Sequence, residues 1–174
     1  MLLKYEVFLN TPASPLRLLY LDYDGVLHDA EVFQHPKRGI YIATPGHILF
    51  EWMSILEQIL APHPTVRIVL STSWVRMKGF TYAKRQLSPN LQSKVIGATF
   101  HKRHMNSLSF AERPRGVQIL GDVIRRRPTS WLAIDDEYEG WPEAHIERLI
   151  CTDGARGLSE RAVQDELKQK LKIV

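Results

Sequence analysis

The sequence has few of the features that mark secreted or membrane proteins. Its 174 residues include a single cysteine, Cys151, so an intrachain disulfide is excluded and a reducing compartment, the cytoplasm, is the expected location. Apolar runs long enough to span a bilayer are absent, and Lys4 and Glu6 interrupt the start of the chain. We therefore expect no signal peptide, no membrane span and no membrane partner.

The charge balance excludes little. Lys and Arg number 23 against 19 Asp and Glu, which gives a formal net charge of +4. This excess is compatible with an anionic substrate but does not require nucleic acid.

The length suits one domain, and no repeat, low-complexity tract or linker divides it. We predict a single domain over residues 1–174, with a lead-in over 1–15 in which Tyr5–Leu9 is a candidate edge strand.

The most informative segment is a short apolar run that ends in two carboxylates. Leu18–Leu21 is typical of a buried strand and is followed by Asp22, Asp24 and Gly25. Residues two apart on a strand face the same way, so both carboxylates can converge beyond the carboxyl end of a sheet, where open α/β sheets bind ligands. A divalent cation such as Mg²⁺ would relieve their repulsion. The alternative is an acidic turn, since Asp-Gly is a common turn dipeptide.

A second apolar run ends in hydroxyl groups. Val66–Leu70 is predicted to be a buried strand and is followed by Ser71 and Thr72. Hydroxyls at a strand end can hold a phosphate oxygen, but they are also ordinary helix caps. Trp74, which follows them, is predicted to be a packing residue, as is Trp52.

A third apolar run again ends in acid. Trp131–Ile134 is followed by Asp135 and Asp136, which are either further metal ligands or the acidic start of a loop or helix. We predict two more strands at Val95–Ala98 and Glu147–Cys151.

Apolar residues at helical spacing predict the elements between the strands. These helices are Pro45–Leu60, Tyr82–Leu87, Arg115–Arg127 with Val117, Leu120 and Ile124 on one face, and a last helix capped by Ser159 that buries Ala162, Val163, Leu167 and Leu171. Strands that alternate with helices indicate a parallel, three-layer α/β/α sheet with right-handed crossovers.

Two polar segments are predicted to lie at the surface. Residues 25–44 are predicted to form a hairpin over the end of the first strand, where it would shield the carboxylates from water. Within it, His28, Asp29 and His35 are predicted to be solvated. The basic loop His101–His104 is either a solvated surface or a segment that attracts a polyanionic substrate.

Taken together, the three strand ends resemble the motifs of a known superfamily. Leu21-Asp-Tyr-Asp-Gly-Val26, the strand that ends in Ser71, and Ile134-Asp-Asp-Glu137, in this order, resemble the haloacid dehalogenase (HAD) superfamily of phosphohydrolases. Ser71-Thr-Ser-Trp74, Arg115-Gly-Val-Gln-Ile119 and Cys151-Thr-Asp-Gly154 also look like a small bacterial and phage branch that includes the phosphatase-like domains of RNA-repair proteins. The resemblance implies a Rossmann-like fold.

The resemblance also implies roles for the acidic residues. Asp22 would be the nucleophile that forms an aspartyl-phosphate, and Asp24 would be the general acid and base. The Asp22 carboxylate, the Asp24 backbone carbonyl and Asp135 or Asp136 would hold Mg²⁺. The second acid favours phosphoryl chemistry over carbon–halogen cleavage, because the dehalogenating branch lacks it.

By the same resemblance, Ser71 and Thr72 would bind the phosphoryl oxygens. The superfamily also uses a cation to neutralise the aspartyl-phosphate. Arg115, at the start of its helix, is our first choice for this cation, and Lys102 is the second. Arginine departs from the commoner lysine, but its guanidinium binds phosphate and carboxylate in bidentate fashion.

The segments between the motifs are too short for a large cap domain, which predicts an open site for a bulky phosphorylated substrate, such as a nucleic-acid end, unless oligomerisation supplies a lid. The leading hypothesis is a Mg²⁺-dependent phosphomonoesterase. The alternatives are a binding or regulatory module with little turnover, and a phosphotransferase or phosphomutase.

Overall fold

A central sheet of five parallel strands organises the chain. The computed structural model describes residues 15–173, so the candidate edge strand Tyr5–Leu9 lies outside the described residues. The strands within that range are β1 (Arg17–Leu21), β2 (Val32–His35), β3 (Gly39–Ile42), β4 (Val66–Leu70), β5 (Val95–Ala98), β6 (Ser130–Asp135) and β7 (Leu149–Cys151). The five parallel strands lie in the order β5-β4-β1-β6-β7, while β2 and β3 form a separate antiparallel hairpin.

Helices connect the strands of the sheet. They are α1 (Met53–Leu60), α2 (Ser73–Lys78), α3 (Phe80–Arg85), α4 (Pro89–Lys94), α5 (Ser107–Ala111), α6 (Arg115–Arg126), α7 (Arg161–Ile173) and two 3₁₀ helices at Glu143–Arg148 and Gly157–Ser159. None of the helices within residues 15–173 has the length and apolar composition needed to cross a bilayer.

The alternation of side chains on β1 defines three layers. Leu19 and Leu21 face one core with α1 and α7, whereas Leu18 and Tyr20 face a second core with Ile119 of α6. Successive residues of a strand point to opposite faces, so a strand buried on both faces needs a continuous apolar run. This confirms the predicted α/β/α architecture, and the described segments between the strands hold no large cap.

The register of the sheet brings the polar strand ends together. Leu21 pairs with Leu70 on one side and with Ile134 on the other. The next residue of each strand is therefore Asp22, Ser71 or Asp135, and all three lie at the carboxyl ends of adjacent strands. From β1 the chain adds β4 and β5 on one side of that strand and then returns to add β6 on the other side. The carboxyl ends of β1 and its neighbours are therefore a topological switch point.

The predicted helix Pro45–Leu60 begins later than expected, at Met53. Phe50 has a φ of 63°, in the left-handed region, which interrupts a continuous helix before that point. The Trp52 amide then donates to the Leu27 carbonyl at 3.0 Å, which ties the helix start to the loop after β1. The prediction of Trp52 as a buried packing residue is confirmed.

Three further predictions were wrong in detail. Of the predicted buried face of α6, Leu120 packs against the second core beside Ile119 and Val123, whereas Val117 and Ile124 are exposed. Strand β7 begins at Leu149, since a 3₁₀ helix takes up the residues before it. Ser159 donates to the Arg156 carbonyl and does not cap α7.

The buried side of α7 and the bounds of α3 also differ from the prediction. Ala162 is exposed, whereas Val163, Leu167 and Leu171 are buried as predicted. The helix expected over residues 82–87 is α3, which begins and ends two residues earlier.

The predicted hairpin is present, but two residues of its segment are not solvated. His28 is fully buried, and Asp29 is buried where it accepts hydrogen bonds from the Glu31 amide at 2.7 Å and from Thr44 Oγ1 at 3.1 Å. His35 is exposed, as predicted. The loop after β1 therefore folds inward before the hairpin begins.

Candidate active site

Three carboxylates meet at the carboxyl ends of β1 and β6. Asp22, Asp135 and Asp136 each place one oxygen within 4.8 Å of the others. Asp22 and Asp135 are buried, and Asp136 is partly exposed. Asp22 Oδ1 accepts the Tyr23 amide at 2.7 Å, and Asp135 Oδ1 accepts the Glu137 amide at 3.0 Å. Each buried side chain is thus oriented by the backbone that follows its strand.

Arg115 is the cation in contact with this cluster. Its Nη2 lies 3.2 Å from Asp22 Oδ2, and its Nε lies 3.2 Å from Asp135 Oδ2. The guanidinium is itself held in place, because Nη1 donates to Gln118 Oε1 at 3.3 Å and the backbone amide donates to Glu137 Oε1 at 3.3 Å. Of the two cations that the sequence indicated, the structure brings Arg115 to the carboxylates.

Burial sets the ionisation of the cluster. It raises the pKa of Asp22 to about 7, although Arg115 acts in the opposite direction, and it raises the pKa of Asp135 well above the usual range, with Asp22 adding to the shift. Burial lowers the pKa of Arg115, but Asp22 and Asp135 outweigh it, so the net direction is upward and the guanidinium stays charged. Within residues 15–173, the Arg115 guanidinium is thus the one cation that faces three carboxylates. A bound metal ion would further favour their ionised form.

The second carboxylate of the first motif, Asp24, has its hydrogen-bond partners outside this cluster. Asp24 Oδ1 accepts a hydrogen bond from Trp74 Nε1 at 2.8 Å and lies 3.1 Å from His28 Nε2. Ser73 Oγ lies 3.5 Å from Oδ2, the less engaged oxygen. The Asp24 side chain remains 26% exposed. Asp24 therefore reaches solvent from an orientation held by hydrogen bonds, whereas Asp22 is buried.

The sequence did not identify Trp74 and His28 as partners of Asp24. Trp74 is buried as predicted, but it is also a hydrogen-bond donor to the site. His28 was expected in solvent, and instead its ring packs against Phe50 with centroids 4.8 Å apart. The spacing of Asp24 and His28 could have suggested a contact, but nothing in the sequence joins Asp24 to a tryptophan 50 residues away.

The two hydroxyl residues differ in their roles in the structure. Ser71 is fully buried, and its Oγ has no hydrogen-bond partner among residues 15–173. Thr72 Oγ1 accepts the Trp74 amide at 3.4 Å at the start of α2. The Ser71 hydroxyl at the carboxyl end of β4 therefore has no acceptor among residues 15–173, whereas the Thr72 hydroxyl caps the start of α2.

A small cavity opens beside Arg115. Its volume is about 110 Å³, and Thr72, Ser73, Arg76, Arg115 and Glu137 contribute to its lining. A cavity of this size has room for a phosphoryl group but not for a whole substrate, which must extend outside it.

Gly25 allows the two acidic motifs to meet. Its φ of 68° is in the region that favours glycine, and a Cβ at this position would overlap the Asp136 carboxylate. The glycine of the first motif thus provides both the turn and the space for the third motif. Thr152 Oγ1 fixes the same turn by donating to the Gly25 carbonyl at 2.8 Å.

The residues present fit a magnesium ion. Asp135 Oδ2 has no partner with hydrogen-bond geometry in the described part of the chain, although Arg115 Nε lies nearby. A buried carboxylate oxygen without a hydrogen bond is costly, and three converging carboxylates supply the oxygen ligands that Mg²⁺ prefers. Asp135 and Asp136 both belong to this cluster, so the structure supports either as a ligand.

Lys102 lies apart from these residues. It is an exposed residue of the turn at 101–104, and within residues 15–173 it makes no ion pair with Asp22, Asp135 or Asp136. The turn instead lines a separate, larger cavity.

Comparison with known proteins agrees with this arrangement. No curated protein and no solved structure gave a match. Residues 18–163 match the model of a family described as the HAD domain in Swiss Army Knife RNA repair proteins. The match includes all three strand ends and α6, and it supports a phosphatase-like function of the HAD superfamily. The chain belongs to this family of HAD domains.

Proposed function

We propose that this protein is a Mg²⁺-dependent phosphomonoesterase that works through an aspartyl-phosphate on Asp22, with a bulky nucleotide or nucleic-acid phosphate as substrate. The observation that carries the proposal is the position of Asp22 between the Arg115 guanidinium, 3.2 Å away, and two further carboxylates. The open site, which has no large cap in the described residues, supports a bulky substrate.

The first chemical step is attack by an Asp22 oxygen on phosphorus. A bond forms between Asp22 and phosphorus as the phosphorus–oxygen bond of the ester breaks, and the leaving alkoxide takes a proton from Asp24. Arg115 stabilises the charge on the phosphoryl oxygens. Ser71 Oγ, which has no other partner among the described residues, donates to one of these oxygens.

The second step is hydrolysis of the aspartyl-phosphate. Asp24 accepts a proton from water as the water oxygen bonds to phosphorus, and Asp22 leaves as a carboxylate with inorganic phosphate as product. His28 and Trp74 contact Oδ1, whereas Oδ2 has only the long 3.5 Å contact from Ser73 Oγ, so Oδ2 is the oxygen we assign to the transferred proton.

The carboxylates of Asp22 and Asp135 or Asp136, with the Asp24 backbone carbonyl, would hold Mg²⁺. When bound, the ion would withdraw charge from the phosphoryl group.

The test is phosphate release from sugar phosphates, nucleotides, phosphopeptides and 3′- or 5′-phosphorylated oligonucleotides, with Mg²⁺ and with chelator. We expect Mg²⁺-dependent release that Asp22→Asn abolishes. Release that persists in Asp22→Asn would overturn the assignment of the nucleophile. Product formation that requires a sugar acceptor would instead indicate a phosphotransferase. Mg²⁺ binding without turnover of any substrate would indicate a regulatory module.

A further inference from the structure

A larger cavity shares a lining residue with the small cavity beside Arg115. It has a volume of about 510 Å³ and is lined by α2, by the end of β5 and by the turn at residues 101–104. Arg76 lines both this cavity and the small cavity that contains Arg115. A substrate whose phosphate occupies the small cavity can therefore extend past Arg76 into the larger one, whose volume is within the range of sites that hold small ligands.

The lining of the larger cavity is strongly basic. Arg76, Lys78, Lys102 and Arg103 line it, together with His101 and His104, and no Asp or Glu of residues 15–173 contributes. The whole chain has a formal net charge of only +4, so this cavity concentrates positive charge that acidic residues balance elsewhere. Such a surface suits a ligand with several negative charges along its length.

The same cavity also exposes apolar side chains. Met77, Phe80 and Ile96 line it and are 46%, 39% and 42% exposed. A purely electrostatic site for a phosphorylated peptide or a sugar phosphate needs no such groups. Basic residues next to exposed aromatic and aliphatic side chains are the combination that binds single-stranded nucleic acid, because the cations contact phosphates while the bases stack or pack.

We propose that this cavity, which we call the strand cavity, binds the nucleotides next to the reacting phosphate of a single-stranded DNA or RNA end. The inference rests on the proposed function, since it places the phosphate beside Asp22 and the adjoining nucleotides beyond Arg76. A single strand fits better than a duplex, because paired bases cannot reach Phe80 and Ile96.

The test is binding of a fluorescent eight-nucleotide strand with a terminal phosphate, measured by anisotropy in Mg²⁺. The Asp22→Asn protein is used as the parent, so that the phosphate is not removed. We expect Lys78→Gln combined with Arg103→Gln to weaken binding at least tenfold at low salt. The slope of log Kd against log salt should decrease by roughly 1.4, since each phosphate contact on a single strand contributes about 0.7.

Matched variants separate the strand cavity from general charge and from general apolar surface. Lys168→Gln combined with Lys172→Gln removes the same charge from α7, which lines neither cavity, and should change Kd less than twofold. Phe80→Ala should weaken binding about tenfold without a change in the salt slope. Phe33→Ala, at an aromatic residue on β2 that is 47% exposed, should have no effect.

The outcomes distinguish this inference from the proposed function. Equal weakening by the α7 pair, tighter binding of duplex than of single strand, or binding of a phosphopeptide through the same residues would overturn the strand cavity as a nucleic-acid site. With Asp22 intact, Lys78→Gln combined with Arg103→Gln should hydrolyse para-nitrophenyl phosphate at the wild-type rate. If the strand binds as described but no phosphate substrate is hydrolysed, the proposed function fails and the binding site stands.

Discussion

Residues 15–173 contain two buried clusters of aspartate and arginine, and they are balanced in opposite ways. In one, Asp122 is a single carboxylate that accepts hydrogen bonds from Tyr20 Oη at 3.0 Å, from Arg126 Nε at 2.6 Å and from Arg125. In the other, Arg115 faces the three carboxylates Asp22, Asp135 and Asp136. Both clusters are served by α6, the first from its middle and end and the second from its first residue.

The difference separates a structural ion cluster from the one we propose to be reactive. Asp122 has a donor for each oxygen, which is how a buried charge is stabilised. Within residues 15–173, the Asp22 cluster has one cation for three carboxylates and contains buried polar atoms without hydrogen-bond partners, a combination typical of functional sites. Substitutions in the two clusters should therefore affect different properties of the protein.

The largest effect should come from Asp22→Asn. This change removes the proposed nucleophile and is expected to reduce the rate of phosphate release by about 10³-fold or more. Because it also removes one of three repelling carboxylates, the free energy of unfolding should not decrease. Steady-state kinetics and urea denaturation measure the two effects. A variant that loses its fold would show that Asp22 is structural.

Asp122→Asn should show the reverse. It leaves Arg125 and Arg126 without their carboxylate and should lower the free energy of unfolding by about 3 kcal/mol. The rate of phosphate release per folded molecule should remain near that of the wild type, because Asp122 lies outside the catalytic cluster. If the rate instead falls as far as in Asp22→Asn, the two clusters are not separate.

Trp74→Phe tests the orientation of Asp24. The change removes the Nε1 donor but keeps an aromatic ring, and it should lower the turnover rate about tenfold, the effect of losing one hydrogen bond to a charged group. Trp141→Phe is the control, since Trp141 Nε1 donates to the His145 carbonyl at 3.1 Å, away from Asp24. Equal losses in both variants would mean that the effect is one of packing.

The smallest predicted effect concerns pH. Because burial raises the pKa of Asp22 to about 7 and that of Asp135 well above its usual range, the folded protein binds protons that the unfolded chain releases between about pH 4 and pH 7. In chelator, the contribution of this cluster to the free energy of unfolding should therefore decrease as pH rises through that range.

Asp135→Asn removes part of this penalty. At pH 7.5 in chelator it should raise the free energy of unfolding by about 1 kcal/mol, and added Mg²⁺ should stabilise the wild type but not the variant. Asp165→Asn, on α7 and 47% exposed, serves as the control. Stability of the wild type that rises from pH 5 to pH 7.5, with no response to Asp135→Asn, would contradict the prediction.

The strand ends of the site could be predicted from the sequence, because apolar runs fix both the strands and the point where each stops. Asp22, Ser71 and Asp135 follow from that reasoning. The contact between Trp74 and Asp24 could not be predicted, since Trp74 approaches it only after α2 is placed beside the loop that follows β1. The packed face of α6 was predicted only in part, because its apolar residues lie on two faces: Leu120 packs as expected, but tertiary contact selects Ile119 over Val117 and Ile124.

The arrangement of Asp22 and Arg115 has a consequence for the order in which the chain folds. Arg115 follows Asp22 by 93 residues. At ordinary rates of synthesis it leaves the ribosome roughly 5–19 s later, and contacts of such long sequence separation form late. The Asp22 carboxylate therefore stays hydrated until Arg115 and β6 arrive, and the repulsion within the cluster develops only when the rest of the sheet can oppose it. The contact between Asp22 and Arg115 is for this reason a direct reporter of complete folding in this protein.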